Sequence, residues 1–94
     1  MAIFAVHYRY ADRPEAVAAA KPEHRAYLAS QSAAGRLLAS GPFNDRREAL
    51  LIIRADDFAA AQALVSADPI SQAGLVDQTT IRPWSPNLGP FGEN

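Results

Sequence analysis

The sequence predicts a single α+β domain whose elements follow the order βαββαβ. Its 94 residues are the length of one small domain. Segments rich in β-branched and aromatic residues, typical of strands, alternate with segments of helical periodicity. Only a short turn separates the second and third strand-like segments, which indicates a hairpin.

The first strand is predicted over residues 2–10, and a helix start follows at Pro14, because proline suits the first helical position. Pro22 interrupts the helical pattern, since a proline inside a helix removes a backbone hydrogen bond. We therefore expect a short turn over residues 14–20 and the main helix from Pro22 to about Ala34.

The next segments are interpreted as a helix end followed by a hairpin. Gly35 is expected to end the helix in the left-handed conformation that glycine adopts without strain. The second and third strands are predicted over residues 36–42 and 48–54. Asn44 and Asp45, residue types frequent in turns, lie between them and complete the hairpin.

The second helix is predicted to begin with Asp56 as its N-cap and to run to Ala67. Asp57 suits the positive end of the helix dipole. Asp68 and the proline after it are expected to end this helix and to cap a further turn up to Gly74.

The fourth strand is predicted over residues 75–84, and residues 85–94 are expected to form an irregular tail outside a domain of residues 1–84. The element order βαββαβ is that of the ferredoxin-like fold, a four-stranded antiparallel sheet with both helices on one face. The first and third strands are then central, and the second and fourth lie at the edges.

The third strand is apolar on both faces, with Leu50 and Ile52 on one and Ala49, Leu51 and Ile53 on the other. Because helices cover only one sheet face, an apolar second face is unusual for a monomer. We therefore expect a homodimer, packed sheet to sheet as a dimeric α/β barrel. The alternative is that the proline-rich tail folds back across the sheet. The pattern leaves open which set faces away from the helices.

Composition narrows the classes of partner. Nine basic and ten acidic residues give a net charge of −1, which favours neither nucleic acid nor an anionic membrane. The absence of cysteine excludes disulfides, zinc-thiolate sites and iron–sulfur clusters. No apolar run has the ~20 residues of a membrane span, and the first residues are strand-like rather than a basic signal segment. We expect a cytoplasmic protein.

Two polar residues are candidates for catalysis. His24, Tyr27, Leu28 and Gln31 share one helical stripe, and because Leu28 must face the sheet, His24 points toward the protein. Asp68 follows a similar stripe on the second helix and is expected on its sheet-facing side. If the two side chains meet, the carboxylate orients the imidazole and stabilises its protonated form, as in a general acid or base.

Each residue also has a structural interpretation. Asp68 before a proline is a common N-cap, and a histidine on a partly apolar stripe is more often a hydrogen-bonded core residue than a catalyst. His7 on the first strand is interpreted as packing. Two histidines and scattered acidic residues lack the spacing of a metal site, so no metal or other cofactor is expected.

Five segments occur in order across most of residues 2–84: Lys21-Pro22-Glu23-His24-Arg25-Ala26-Tyr27-Leu28, Gly35-Arg36-Leu37-Leu38-Ala39-Ser40-Gly41-Pro42, Ala67-Asp68-Pro69-Ile70, Ala73-Gly74-Leu75 and Arg82-Pro83-Trp84. Together they resemble the YciI (YCII-related) family of small bacterial proteins. The resemblance implies a ferredoxin-like dimeric barrel and a pocket centred on a histidine and an aspartate that are proposed as catalytic.

Carried over to this chain, that pair is His24 and Asp68. The corner formed by Ser40, Gly41 and Pro42 is the implied pocket wall for the substrate. Lys21, also expected to bind substrate, stands where many relatives have Arg.

We therefore expect a small-molecule enzyme that performs cofactor-free proton transfer, such as isomerisation, elimination (including dehalogenation) or hydrolysis. His24 would be the general base or acid, and Asp68 would hold its tautomer. Ser40 and the backbone around Gly41 would donate hydrogen bonds to a developing oxyanion. One alternative is a non-catalytic dimeric domain that binds a small ligand in the same pocket. Another is a structural dimerisation module.

Overall fold

The computed structural model describes residues 2–91 and has the predicted ferredoxin-like α+β fold. A short additional helix precedes the last strand. The elements are β1 (Ala2–Tyr10), α1 (Pro14–Ala33), β2 (Leu37–Pro42), β3 (Glu48–Ala55), α2 (Phe58–Ser66), α3 (Pro69–Gln72) and β4 (Val76–Trp84).

The four strands form one antiparallel sheet in the order β2-β3-β1-β4, so β1 and β3 are central as predicted. Val6 of β1 lies opposite Leu51 of β3 and opposite Ile81 of β4. In β2 the register shifts between Leu37 and Ala39. After this irregularity, β2 continues beside β3 to Ser40, Gly41 and Pro42, the residues of the predicted pocket wall.

Alternation along the central strands separates the core from the opposite sheet face. The core side chains of β1 and β3 pack with buried residues of all three helices: Phe4, Val6, Tyr8, Tyr10, Ala49, Leu51, Ile53, Ala55, Val17, Leu28, Ala61, Val65 and Ile70. Leu51 and Ile53 thus face the helices, and Leu50 and Ile52 face away, which settles the choice that the pattern left open.

α1 is one continuous helix of 20 residues, so the expected break at Pro22 is wrong. The proline costs one backbone hydrogen bond, to the carbonyl of Ala18, four residues earlier. Ala18 and Pro22 are both exposed, so water can reach this part of the helix. The buried residues Val17, His24 and Leu28 hold the two halves against one core.

The ends of the helices follow local rules, with one correction. Gly35 has a φ of 80°, as predicted, and its N–H donates to the carbonyl of Ser32 at 3.0 Å while that of Arg36 donates to Gln31 at 2.9 Å. Asp57, not Asp56, is the N-cap of α2, because its carboxylate accepts from the N–H of Ala60 at 2.8 Å.

Residues 85–91 contain no helix or strand, and the last three residues of the expected tail lie outside the described residues. The division into a domain of residues 1–84 and a tail stays a prediction. Within residues 2–91, no helix is long and apolar enough to cross a membrane.

Candidate active site

The structure brings His24 and Asp68 into direct contact. α1 presents His24 on its buried face, and α3, which packs beside α1, begins immediately after Asp68. His24 Nδ1 lies 2.9 Å from both carboxylate oxygens of Asp68. An ionised carboxylate can only accept hydrogen bonds, so Nδ1 carries the proton in this arrangement. Nε2 of a neutral His24 is then the free base, and none of the described residues forms a hydrogen bond with it.

Asp68 is fully buried and acts in two roles at once. Its carboxylate also accepts from the N–H of Ile70 at 3.2 Å, which is the predicted N-cap of the turn. A buried charge is costly unless several hydrogen bonds replace its water. The capping role and the contact with His24 are therefore parts of one network rather than competing interpretations.

Tyr8 completes this network and was missed by the sequence analysis. Its hydroxyl donates to Asp68 Oδ2 at 3.0 Å, from the core-facing side of β1. Burial and the negative charge of Asp68 raise the pKa of Tyr8 far above its ordinary value. Tyr8 therefore remains a donor under all physiological conditions. The alternation of Phe4, Val6, Tyr8 and Tyr10 was the available signal that this hydroxyl faces the helices.

One cavity of about 500 Å³ lies beside the pair, within the size range of small-molecule sites. His24 lines it, together with the four residues expected to bind substrate, namely Lys21, Ser40, Gly41 and Pro42. The pairing of Ser40 with the core-facing Leu51 places its side chain on the helix side of the sheet. α1, β2 and β3 thus bring distant parts of the chain to one cavity.

Lys21 lines the cavity and also contacts Tyr10, the last residue of β1. Its Nζ donates to the hydroxyl of Tyr10 at 3.2 Å and lies 4.3 Å from the ring centroid. Burial lowers the pKa of Lys21, and the positive charges of Arg25 and Arg46 add to this effect, while Asp68 opposes it. Burial and the charge of Asp68 raise the pKa of Tyr10 to about 12.

Arg25 and Arg46 also line the cavity and were not among the predicted site residues. Arg25 follows His24 directly on α1, and this proximity in sequence to the predicted catalytic histidine was the available signal. Arg46 has a φ of 62°, a conformation that favours Gly, Asn or Asp, and no sequence signal predicted it. The residues of 2–91 contain no cluster of three or more His, Asp or Glu side chains that could hold a metal ion.

Fold and site together define a ferredoxin-like protein with a buried histidine–aspartate pair beside a cavity. The chain belongs to the YCII-related domain family, whose model matches residues 1–85. The family suggested by the sequence segments is therefore confirmed. No curated protein matches the chain.

Solved structures share this fold at low sequence identity. A 5-chloro-2-hydroxyhydroquinone dehydrochlorinase from Burkholderia phenoliruptrix, in complex with 2,5-dihydroxybenzoquinone, has a TM-score of 0.77 and 22% identity, over 88% of this chain and 93% of its own. PA3566 of Pseudomonas aeruginosa has a TM-score of 0.59 and 17% identity, with coverages of 87% and 89%. A NIPSNAP domain protein from Burkholderia xenovorans has a TM-score of 0.55 and 16% identity, with both chains fully covered.

Proposed function

We propose that the protein is a small-molecule enzyme that uses His24 and Asp68 for proton transfer without a cofactor. The observation that carries this proposal is the contact of His24 Nδ1 with a fully buried carboxylate, at a cavity large enough for a small molecule. A histidine held by its Nδ1 offers Nε2 to a ligand, which is the arrangement of a general base.

In the proposed step, Nε2 of His24 removes a proton from a substrate carbon next to a carbonyl group, or from a hydroxyl conjugated with that carbonyl. The electron pair moves to an adjacent carbonyl oxygen, and Ser40 with the backbone around Gly41 donates to the oxyanion that forms. Asp68 stabilises the imidazolium. Return of the proton to another atom completes an isomerisation, whereas departure of a halide completes an elimination. In a hydrolysis, His24 takes a proton from a water that attacks the carbonyl carbon, and the bond from that carbon to the leaving group breaks as the leaving group departs with the electron pair.

The similar fold of a dehydrochlorinase solved in complex with 2,5-dihydroxybenzoquinone supports elimination as the reaction. The alternative remains a non-catalytic domain that binds a small ligand in the same cavity. Such a domain would use the same cavity and lining residues but would not convert the bound ligand. Binding without chemistry is therefore the result that separates the two functions.

The test is turnover in wild type, His24→Gln and Asp68→Asn. A panel of small hydroxylated aromatic compounds and ketones, including 5-chloro-2-hydroxyhydroquinone, is incubated in D₂O. Deuterium incorporation is followed by mass spectrometry and chloride release by ion chromatography. We expect wild type to convert at least one compound, His24→Gln to be inactive, and Asp68→Asn to be slower by about 10²-fold or more.

Nitrogen-15 NMR of the imidazoles provides a control that needs no substrate. The Asp68→Asn variant retains most of the capping ability, since Asn and Asp are similar N-caps. We expect this variant to lose the preference for the proton on Nδ1 of His24, while His7 on the other sheet face is unchanged. Compounds that bind but never react would contradict the enzymatic function, whereas equal turnover in all three proteins would contradict the proposed roles of His24 and Asp68.

We also propose that the protein is a homodimer packed through the sheet face opposite the helices. Leu50, Phe43 and Trp84 lie on this face and are 39–44% exposed. Ile3 and Ile52, on the same face, are only 6% exposed within one protomer. A second copy would cover the remaining apolar side chains, as a two-fold interface allows.

A further inference from the structure

The cavity beside His24 has a wall of positive charge. Lys21, Arg25 and Arg46 all line it, and we call these three residues the cationic wall. They are three of the nine basic residues of the chain, and no Asp or Glu among the described residues lines this cavity. Clefts lined by one sign of charge concentrate ligands of the opposite sign.

Within residues 2–91, none of these cations forms an ion pair with a carboxylate, because the ion pairs of this part of the chain involve other residues. All three side chains line the same cavity, and the positive charges of Arg25 and Arg46 add to the effect of burial in lowering the pKa of Lys21. Asp68 opposes this effect but is already held by Tyr8, His24 and Ile70. Three cations gathered at one cavity favour an anion from outside.

The remaining residues that line the cavity indicate what kind of molecular frame would carry the negative charge. Val17, Leu28, Pro14 and Leu51 give the cavity apolar walls, which suit a hydrocarbon or aromatic frame. The cationic wall belongs to α1 and to the loop between β2 and β3, whereas His24 lies deeper and is 5% exposed. A ligand whose anionic group contacts the wall can therefore extend its apolar part toward His24.

We propose that the cavity selects organic anions of the carboxylate or phenolate class, with Lys21, Arg25 and Arg46 as the binding residues for the charged group. This inference deepens the proposed function and rests on the same cavity. Arg25 and Arg46 can each present a planar guanidinium to two oxygens, whereas Lys21 contributes a point charge fixed by Tyr10. Neutral analogues leave the cations unpaired and bind less well.

The experiment compares benzoate with benzamide, which has nearly the same shape but no charge. Titrations followed by two-dimensional NMR give the dissociation constants for wild type, Arg25→Gln and Arg46→Gln. Arg36→Gln is the matched control, because Arg36 loses the same charge but lines a different pocket, where its side chain donates to Gln31. His24→Gln is titrated in parallel.

We expect wild type to bind benzoate about tenfold more tightly than benzamide. Arg25→Gln and Arg46→Gln should each weaken benzoate binding about three- to tenfold and leave benzamide unchanged, while Arg36→Gln changes neither. Saturable benzoate binding that survives in His24→Gln supports the anion site whether or not the protein turns over a substrate. No saturable benzoate binding, equal affinity for the two probes, or equal losses in Arg36→Gln would overturn the proposal.

Discussion

At the scale of single residues, one buried carboxylate organises the site. Asp68 accepts hydrogen bonds from a tyrosine hydroxyl, a backbone N–H and an imidazole, and each donor comes from a different element. Their combined effect keeps a charge stable where water cannot reach it. The same bonds fix Nδ1 of His24 against the carboxylate and leave Nε2 for the proposed proton transfer. The atoms that stabilise the fold are therefore also those on which the proposed function depends.

Replacing Tyr8 with Phe tests how far this network depends on the phenol. Tyr8→Phe removes one donor from a fully buried carboxylate, so we expect a loss of about 1–3 kcal/mol in the free energy of unfolding. Urea denaturation measures it. Tyr27→Phe is the matched control, since its hydroxyl donates to the carbonyl of Leu64 at 2.6 Å and not to Asp68.

Both variants should lose stability, but only Tyr8→Phe should alter the nitrogen-15 shifts of His24. Identical His24 spectra in wild type and Tyr8→Phe would mean that the phenol does not position the carboxylate.

At the scale of elements, the site depends on where helices begin and end. α3 has only four residues, yet its N-cap is the carboxylate that holds His24. α1 ends at Ala33, Gly35 turns the chain, and β2 begins at Leu37 and ends with residues that line the cavity. A shift in either terminus would move Ser40 or Asp68 relative to His24.

Gly35→Ala is expected to destabilise the protein by about 1 kcal/mol, because its φ of 80° is unfavourable for residues with a Cβ. An added Cβ would meet no atom within 4 Å, so the cost comes from the backbone alone. Gly41→Ala is the control: its Cβ also meets nothing, and its φ is not positive, so a change within about 0.5 kcal/mol is expected. Thermal or urea unfolding of both variants measures the difference, and equal losses would contradict this explanation.

At the scale of the whole molecule, the two faces of the sheet differ in what covers them. The helix side encloses the core and the cavity, while the opposite side carries exposed apolar residues and the contact between His7 and Glu48. This asymmetry makes the second face available for a partner copy without obstructing the cavity.

Leu50→Asp should disrupt the proposed dimer, because a new charge in an apolar interface is left unpaired at a cost of about 3 kcal/mol or more. Sedimentation velocity at micromolar concentration should show a dimer for wild type and a monomer for Leu50→Asp. Leu88→Asp, at a side chain that is 90% exposed, is the matched control and should remain dimeric. A monomeric wild type would remove the dimer proposal.

Stability should fall at alkaline pH. The pKa of Tyr10 is raised to about 12, and that of Tyr8 is raised further, so both tyrosines bind their protons more tightly in the folded state. Their contribution is complete below the ordinary pKa of about 10 and decreases as the pH rises toward 12. The lowered pKa of Lys21 acts in the opposite direction and partly offsets the loss.

Urea denaturation at pH 8 and pH 11 measures this dependence. Wild type should be less stable at pH 11, and the double variant Tyr8→Phe/Tyr10→Phe should show a smaller difference between the two values. The same difference in both proteins would assign the alkaline loss to other groups.

Local sequence determined much of this protein, because strands, turns and caps depend on neighbouring residues. The side-chain pattern of residues 2–10 specifies a strand, Gly35 a helix end, and Asp68 with its proline the cap of a turn. The ordered family segments also indicated His24 and Asp68 as the candidate pair. The expected break at Pro22 failed because burial on both sides of the proline outweighs one lost hydrogen bond.

Only the tertiary structure decided which side chains meet. The contact between His24 and Asp68 joins positions 44 residues apart, and that between Tyr8 and Asp68 joins positions 60 apart. Such contacts depend on the offset of α3 along α1 and on the register of the sheet, which no local pattern encodes. Arg46 reaches the cavity through a backbone conformation that its residue type disfavours. The sequence thus determined the helices, the strands and the candidate pair, whereas the packing of distant segments formed the cavity and its cationic wall.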